Sequence, residues 1–348
     1  MIGLHPLPLL LGALILGPVL IEFPAPQDPI QEVEAEEGPH DRWLARLVDD
    51  GRPTKLDDLS GLTCAGCHQT ITEEWRHSTH ATAWIDPHYN KALKKIRRKR
   101  GCTGCHAPVP LLGKPPTKIP DTRTENPHLG VTCTTCHLAA DGETMLGPAG
   151  HANDGHPSEA NELFNHLESN ALCITCHNVN IGPVLAVAKD FKASDQASMG
   201  DSCVGCHMPS INRAWANDEI SGELGTSRAG RSHRLETSRD PVFLRGAMNL
   251  RAEFNETGAV LVVTNLTGHR VPGLIGRELT LRFSLYNAKG QRLSKSSHTF
   301  SHRSHLPVDA DFKIDLEGLG AAELRVSGTH KAPGIPKGIV FLERTFKR

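Results

Sequence analysis

Ten cysteines constrain this chain more than anything else in it: they fall into five pairs of identical spacing, and a histidine follows every pair. The sites are Cys64/Cys67/His68, Cys102/Cys105/His106, Cys133/Cys136/His137, Cys173/Cys176/His177 and Cys203/Cys206/His207, with no cysteine left over. C-x-x-C-H is the attachment signature of c-type haem, in which two thioethers hold the macrocycle and the histidine becomes the proximal iron ligand. Two thiols on one short turn reach the two vinyl positions, and the next residue turns its imidazole under the iron. A zinc ribbon also uses C-x-x-C but does not require histidine next in line. A disulfide framework predicts no regular spacing at all. With 20 histidines in 348 positions, five adjacent histidines out of five would arise by chance on the order of once in a million. The sequence therefore predicts five covalently bound haem c.

That load accounts for an otherwise poor composition. A hydrophobic share of 38% and an aromatic share of 5% are thin stock for the core of a chain this long. Five large apolar macrocycles supply buried surface that side chains do not, so short irregular helices suffice. The 32 glycines and 24 prolines point the same way, to a loop-rich fold. A formal charge of −1 gives no general attraction to nucleic acid or to an anionic membrane, and no nucleic-acid partner is expected. The motifs begin 38, 31, 40 and 30 residues apart, but the segments between them do not match as a solenoid would require. Residues 59–245 read as one pentahaem domain.

The amino terminus sets the compartment. Leu7 to Phe23 is almost uninterruptedly apolar, the length of a signal-peptide core and short for a membrane span. Its leading segment has His5 but no Lys or Arg, and the exit near Ala25 is a poor small-x-small cleavage site. Residues 1–24 are therefore read as a signal peptide or an uncleaved anchor, with membrane anchoring through 7–23 in the second case. Both place the folded part in the periplasm or on the outer face of the cytoplasmic membrane. Residues 25–58 follow as an acidic, proline-containing tether.

Within the haem region, Thr70 and Glu73 have capping-box spacing, which predicts a helix from Glu73 to about Trp84 with His77, His80 and Trp84 on one face. Tyr89, Leu93 and Ile96 predict a second helix from Pro87 to Arg100, closed by Gly101. Its other face carries Lys91, Lys94, Lys95, Arg97, Arg98, Lys99 and Arg100. That run is either a solvated face suited to the helix dipole or a docking patch beside the second haem. For the sixth iron positions there are ten further histidines between residues 40 and 270: His40, His77, His80, His88, His128, His151, His156, His166, His233 and His269. The competing methionines are few, mainly Met145, Met199 and Met248, so low-potential bis-histidine haems are the expectation.

Cys64-Ala65-Gly66-Cys67-His68, with Trp75 and Ser78-Thr79-His80-Ala81 after it, resembles the first haem segment of multihaem cytochromes related to the tetrahaem electron acceptor of hydroxylamine oxidoreductase. Gly130-Val131-Thr132-Cys133-Thr134-Thr135-Cys136-His137, then Gly147-Pro148-Ala149-Gly150-His151, is similar to a second segment. Ser202 to Pro209, Ser232-His233-Arg234 and Asp240 to Leu244 continue the match, over roughly residues 60–245. The resemblance implies distal ligands at His80, His151 and His233. Five haems here against four in the relative leave one site unmapped, for which His166, upstream of the fourth motif, is the candidate.

From residue 246 the chain changes character. There is no cysteine, and strand-like runs occur at Val260–Thr264, Leu279–Tyr286, Leu324–Val326 and Ile339–Phe346, with a hairpin turn at Asn287-Ala288-Lys289-Gly290. The expected architecture is a mainly α, loop-rich multihaem cytochrome c domain followed by a small all-β, immunoglobulin-like sandwich over 246–348. The loop Asn265 to Gly273 resembles one that meets a haem in similar domains, which makes His269 a fifth distal candidate. His298, His302, His305 and His330 read as surface residues.

Together these readings describe an exported electron-transfer protein rather than a catalyst, with other cytochromes or a quinol-linked membrane complex as redox partners. An open sixth position would instead make it an oxidoreductase acting on a small nitrogen or oxygen compound. A subunit of a haem filament or membrane complex is the third reading.

Overall fold

The computed structural model describes residues 64–97, 99–112, 119–150, 155–181, 185–217 and 225–348. The leader and the tether, together with His40, Arg98 and His151, lie outside the described residues.

The first helix, α1 (Gln69–Arg76), begins and ends earlier than the capping-box spacing predicts. Trp75 is buried and its indole donates to the Val131 carbonyl at 2.7 Å, which anchors the last turn. The chain then leaves the helix through buried Ser78, and the His80 carbonyl accepts from the Val131 N–H at 3.0 Å. The neighbouring Gly130 has φ +65°, and a Cβ there would stand 2.3 Å from the His80 carbonyl oxygen. Only glycine lets the two segments approach this closely. Helix α2 (Pro87–Leu93) starts where expected, with Pro87 in its first turn and the Asp86 carboxylate accepting from the His88 and Tyr89 N–H groups. It stops at Leu93 rather than Arg100, because a separate helix, α3 (Arg100–His106), takes over to carry the second motif.

Four motif helices end on their own histidine: α3, α4 (Cys133–His137), α5 (Asn170–His177) and, after α6 (Val187–Lys192) and α7 (Asp195–Ser198), α8 (Cys203–His207). The imidazole thus leaves from the final turn. Local caps hold the starts, as where the Ser202 hydroxyl accepts from the Gly205 N–H at 3.1 Å. Two small sheets accompany the motif helices: β1 (Met145–Gly147) parallel to β2 (Ser158–Ala160), between α4 and α5, and β3 (Ser210–Ala214) antiparallel to β4 (Ser227–Arg231), after α8.

After the short helix α9 (Pro241–Arg245), seven strands form two antiparallel sheets. Strands β5 (Met248–Phe254), β6 (Gly258–Asn265) and β9 (Asp311–Glu317) make one, in that order. The other runs β11 (Ile335–Lys347), β10 (Ala321–Ala332), β7 (Glu278–Asn287), β8 (Arg292–Phe300). Leu261, Val263, Leu281, Phe283, Phe300, Leu324 and Phe341 fill the space between them and are essentially fully buried. At the hairpin between β7 and β8, Gly290 takes φ +75° and the Asn287 carboxamide accepts from the Lys289 and Gln291 N–H groups.

Among the described residues strand, at 34%, outweighs helix, at 24%, so the expected mainly α class is corrected. The reason is length: the motif helices span only five to eight residues, whereas β10 and β11 run for 12 and 13. C-x-x-C-H specifies one turn and gives no cause to extend it. His330 is a second correction. On β10, Leu324, Val326, Gly328, His330 and Ala332 alternate inward, and the strand period takes this histidine to 0% exposure.

Truncating a side chain from the shared core, as in Leu281→Ala, is expected to cost about 2–5 kcal/mol. Ser296→Ala on the exposed side of β8 should stay within about 0.5 kcal/mol. Thermal unfolding of the two variants against the parent checks the difference.

Candidate haem-binding site

All ten motif cysteines and all five motif histidines line one continuous cavity of about 3060 Å³. An ordinary small-molecule site occupies roughly 300–1,000 Å³, so this space fits several large ligands and no single one. None of the cysteines is in a disulfide.

Four of the five motif imidazoles are held by the backbone. His68 donates from Nδ1 to the Trp215 carbonyl at 2.6 Å, His106 to Ala83 at 2.5 Å, His137 to Leu146 at 2.7 Å and His207 to Glu236 at 2.6 Å. With Nδ1 engaged, each ring has its Nε2 lone pair left for a metal.

Four of the five motif rings, His177 among them and His106 not, face a second imidazole. Ring centroids are 6.2 Å apart for His68 and His156, 6.3 Å for His80 and His177, 6.2 Å for His137 and His233, and 6.4 Å for His207 and His269. A metal–imidazole bond of about 2 Å, added to the roughly 1 Å from nitrogen to ring centre, puts two axial imidazoles about 6 Å apart across one metal. The second members are held in the same way: His156 donates to the Pro157 carbonyl at 3.1 Å, His233 to Arg231 at 3.0 Å and His269 to Arg270 at 3.0 Å. Burial pushes His80 down to about 4, with His177, His207 and His106 adding to it. Burial likewise pushes His233 down to about 3, helped by His137. Neutral imidazole is the form that ligates iron. The residues present therefore fit the haem that the motifs imply.

His106 differs. Among the described residues no second imidazole stands at this spacing from it; instead Tyr89 stacks on its ring at 3.7 Å and 9°. The Tyr89 hydroxyl is buried without a hydrogen-bond partner, and burial, together with Cys102 and Cys105, pushes it up to about 12.

Of the five distal candidates, His80, His233 and His269 each face a motif histidine, belonging to the fourth, third and fifth motifs. His151 lies outside the described residues. His166 sits elsewhere, between the Ser202 hydroxyl at 3.0 Å and the Arg231 guanidinium at 3.0 Å. The ring facing His68 is His156, a histidine that the sequence offered no reason to prefer over its neighbours.

Ion pairs support two of these rings. Glu74 accepts from the His233 N–H at 2.7 Å and pairs with Arg213 at 2.7 Å. Asp190 holds Arg270, next to His269, through contacts of 2.5 and 2.8 Å. Burial alone would raise the Asp190 carboxyl, but its hydrogen bonds to Arg270 outweigh that and hold it below the usual range. The motifs also come close to one another, the thiols of Cys64 and Cys133, of Cys105 and Cys176 and of Cys173 and Cys203 acting on each other.

These features fit covalent attachment of haem c at the motifs. The family model for cytochrome c554 and c-prime matches residues 63–138. The penta-heme cytochrome c552 of Thermochromatium tepidum has a similar fold: 18% identity, TM-score 0.59, over 85% of this chain and 100% of that one. The solution structure of an Arabidopsis thaliana protein aligns over 29% of this chain and 76% of its own, at 14% identity and a TM-score of 0.18, which carries no argument. No curated protein matches the chain. The family match and the shared fold support a multihaem c-type cytochrome.

Asp190→Asn is expected to cost about 1.5–3 kcal/mol, the range for hydrogen bonds to a charged group. Because the folded carboxyl is depressed, this contribution is complete above the unfolded value of about 3.9 and is lost as pH falls through the folded one. Melting curves of parent and variant should differ at pH 7 and converge in acid.

Proposed function

We propose that this protein is an exported pentahaem cytochrome that passes electrons between redox partners through haems with mostly paired histidine ligands. The observation that carries this reading is the set of four imidazole pairs at 6.2–6.4 Å inside the cavity lined by all ten motif cysteines. Haem supplies one-electron chemistry at its iron. The ten cysteines would anchor it through thioethers, and the imidazoles of His68 and His156, His80 and His177, His137 and His233, and His207 and His269 would ligate iron. His156 takes the place for which His166 was the candidate. Contacts among the thiols set the first motif beside the third, and the fourth beside both the second and the fifth. Cys136 acts electrostatically on both Cys173 and Cys176, which joins the two groups.

Residues 1–24 supply export or anchoring in this reading, and the resemblance to the electron acceptor of hydroxylamine oxidoreductase suggests other cytochromes or a quinol-linked membrane complex as partners. Lys91, Lys94, Lys95, Arg97 and Lys99 are exposed just before the second motif and suit an acidic partner face. A second reading rests on His106. With Tyr89 beside it and no described imidazole opposite, the second motif suits a haem that binds a small nitrogen or oxygen compound.

Electron paramagnetic resonance of the oxidised protein, with haem counted in the same sample, tests both readings. The expected result is five haems per chain, four of them low-spin and the one at His106 high-spin. His156→Ala should convert one further haem to high-spin. Fewer than five haems, or His156→Ala leaving the spectrum unchanged, would sink the assignment. Electron transfer to an acidic cytochrome should slow as salt rises, and should slow further in a Lys94→Glu/Lys95→Glu variant; stopped-flow oxidation rates read both effects.

A further inference from the structure

The wall of the cavity nearest the second motif carries a cluster that haem ligation does not use. Arg277, just before β7, donates to the Ser238 hydroxyl, and Arg239 lies beside it. Burial and this neighbouring guanidinium push Arg277 down to about 10. His330 of β10 completes the group: it is fully buried, both arginines act on it, and the Ser238 backbone stands against its ring. The Nε of Arg239 is buried without a partner. Asp86 is the one carboxylate that acts on Arg277, and it already accepts from two N–H groups at the start of α2. Arg239, Arg277, His330, Ser238 and Asp86 all line the cavity, and the Asp86 charge also reaches His106.

Among the described residues, one carboxylate acts on Arg277 and the Arg239 Nε has no partner, so positive charge at this wall outnumbers negative, and a buried cation is costly unless it is paired. A guanidinium fork matches a planar carboxylate or oxyanion through two parallel hydrogen bonds. We propose that Arg239 and Arg277, backed by His330, bind a carboxylate or similarly planar oxyanion at this wall. The oxyanion has two sources. It is either a propionate of the macrocycle held by Cys102 and Cys105, which rests on the haem reading above, or a free anion entering from solvent, which does not.

The test uses the full haem-loaded chain and the variants Arg239→Gln, Arg277→Gln and Arg277→Lys. Parent and variants are titrated calorimetrically with acetate and with nitrate at constant ionic strength, and their haem potentials are measured by spectroelectrochemistry. A free anion predicts saturable binding to the parent, weakened at least tenfold by either glutamine and less by lysine. A propionate predicts no such binding; instead the potential of one haem falls in the glutamine variants while the others hold, because removing a cation disfavours the added electron. Arg277→Lys, which keeps the charge, should recover most of that shift. Folded glutamine variants that change neither anion binding nor any single potential would overturn the proposal. Should Arg277→Gln not fold, Arg239→Gln is read by the same criteria. Failure of the haem reading is seen separately, as a haem count below five in the parent before any variant is compared.

Discussion

An imidazole that serves a metal from one nitrogen is oriented by what holds the other, and much of this molecule is arranged around that constraint. The carbonyls that hold the motif rings come from far along the chain: Trp215 lies 147 residues from His68, Glu236 29 from His207 and Ala83 23 from His106. The two small sheets in the haem region belong to this framework. Leu146 sits within β1 and holds His137, while Trp215 directly follows β3 and holds His68. The last residue of β4, Arg231, holds His233. Segments with few side chains to bury are thereby given defined positions by the carbonyls they must present.

The β domain takes part in the same arrangement. Its β6 ends at Asn265, whose carboxamide donates to the His269 and Pro307 carbonyls and shapes the loop that carries His269 to His207. Asp190 of α6 grips Arg270 from the haem side. The domain therefore contributes the His269 imidazole to the cavity at one end, and at another Arg277 and His330, which meet Arg239 of the haem region. Its hydrophobic core gives both a rigid base, as side chains in the haem region alone do not.

How much was legible varies with the range of the interaction involved. The motifs could be read because covalent attachment needs only five consecutive residues. The four C-terminal strand runs could be read because β7 and β10 alternate and β6 and β11 carry continuous apolar runs, though each strand extends beyond its apolar stretch. Helix lengths were misjudged where a tertiary contact decides them, as at Trp75 and Val131. The class was misjudged because short motif helices add up to less than long strands. His156 gave no local sign, since what distinguishes it is the distance to His68. His330 was misread because one histidine in a strand gives no hint of which face is buried.

The sequence by itself determined the chemistry of the five attachment sites and the proximal histidine of each, because those are fixed by bonds within a single turn. It also determined that the last hundred or so residues form strands, through side-chain alternation and continuous apolar runs. Only the tertiary structure decided which second imidazole faces which motif, which motif has none among the described residues, and where positive charge collects in the wall beside it. Those outcomes depend on separations of a few ångströms between residues tens to more than a hundred positions apart, and no periodicity or spacing along the chain encodes such a distance.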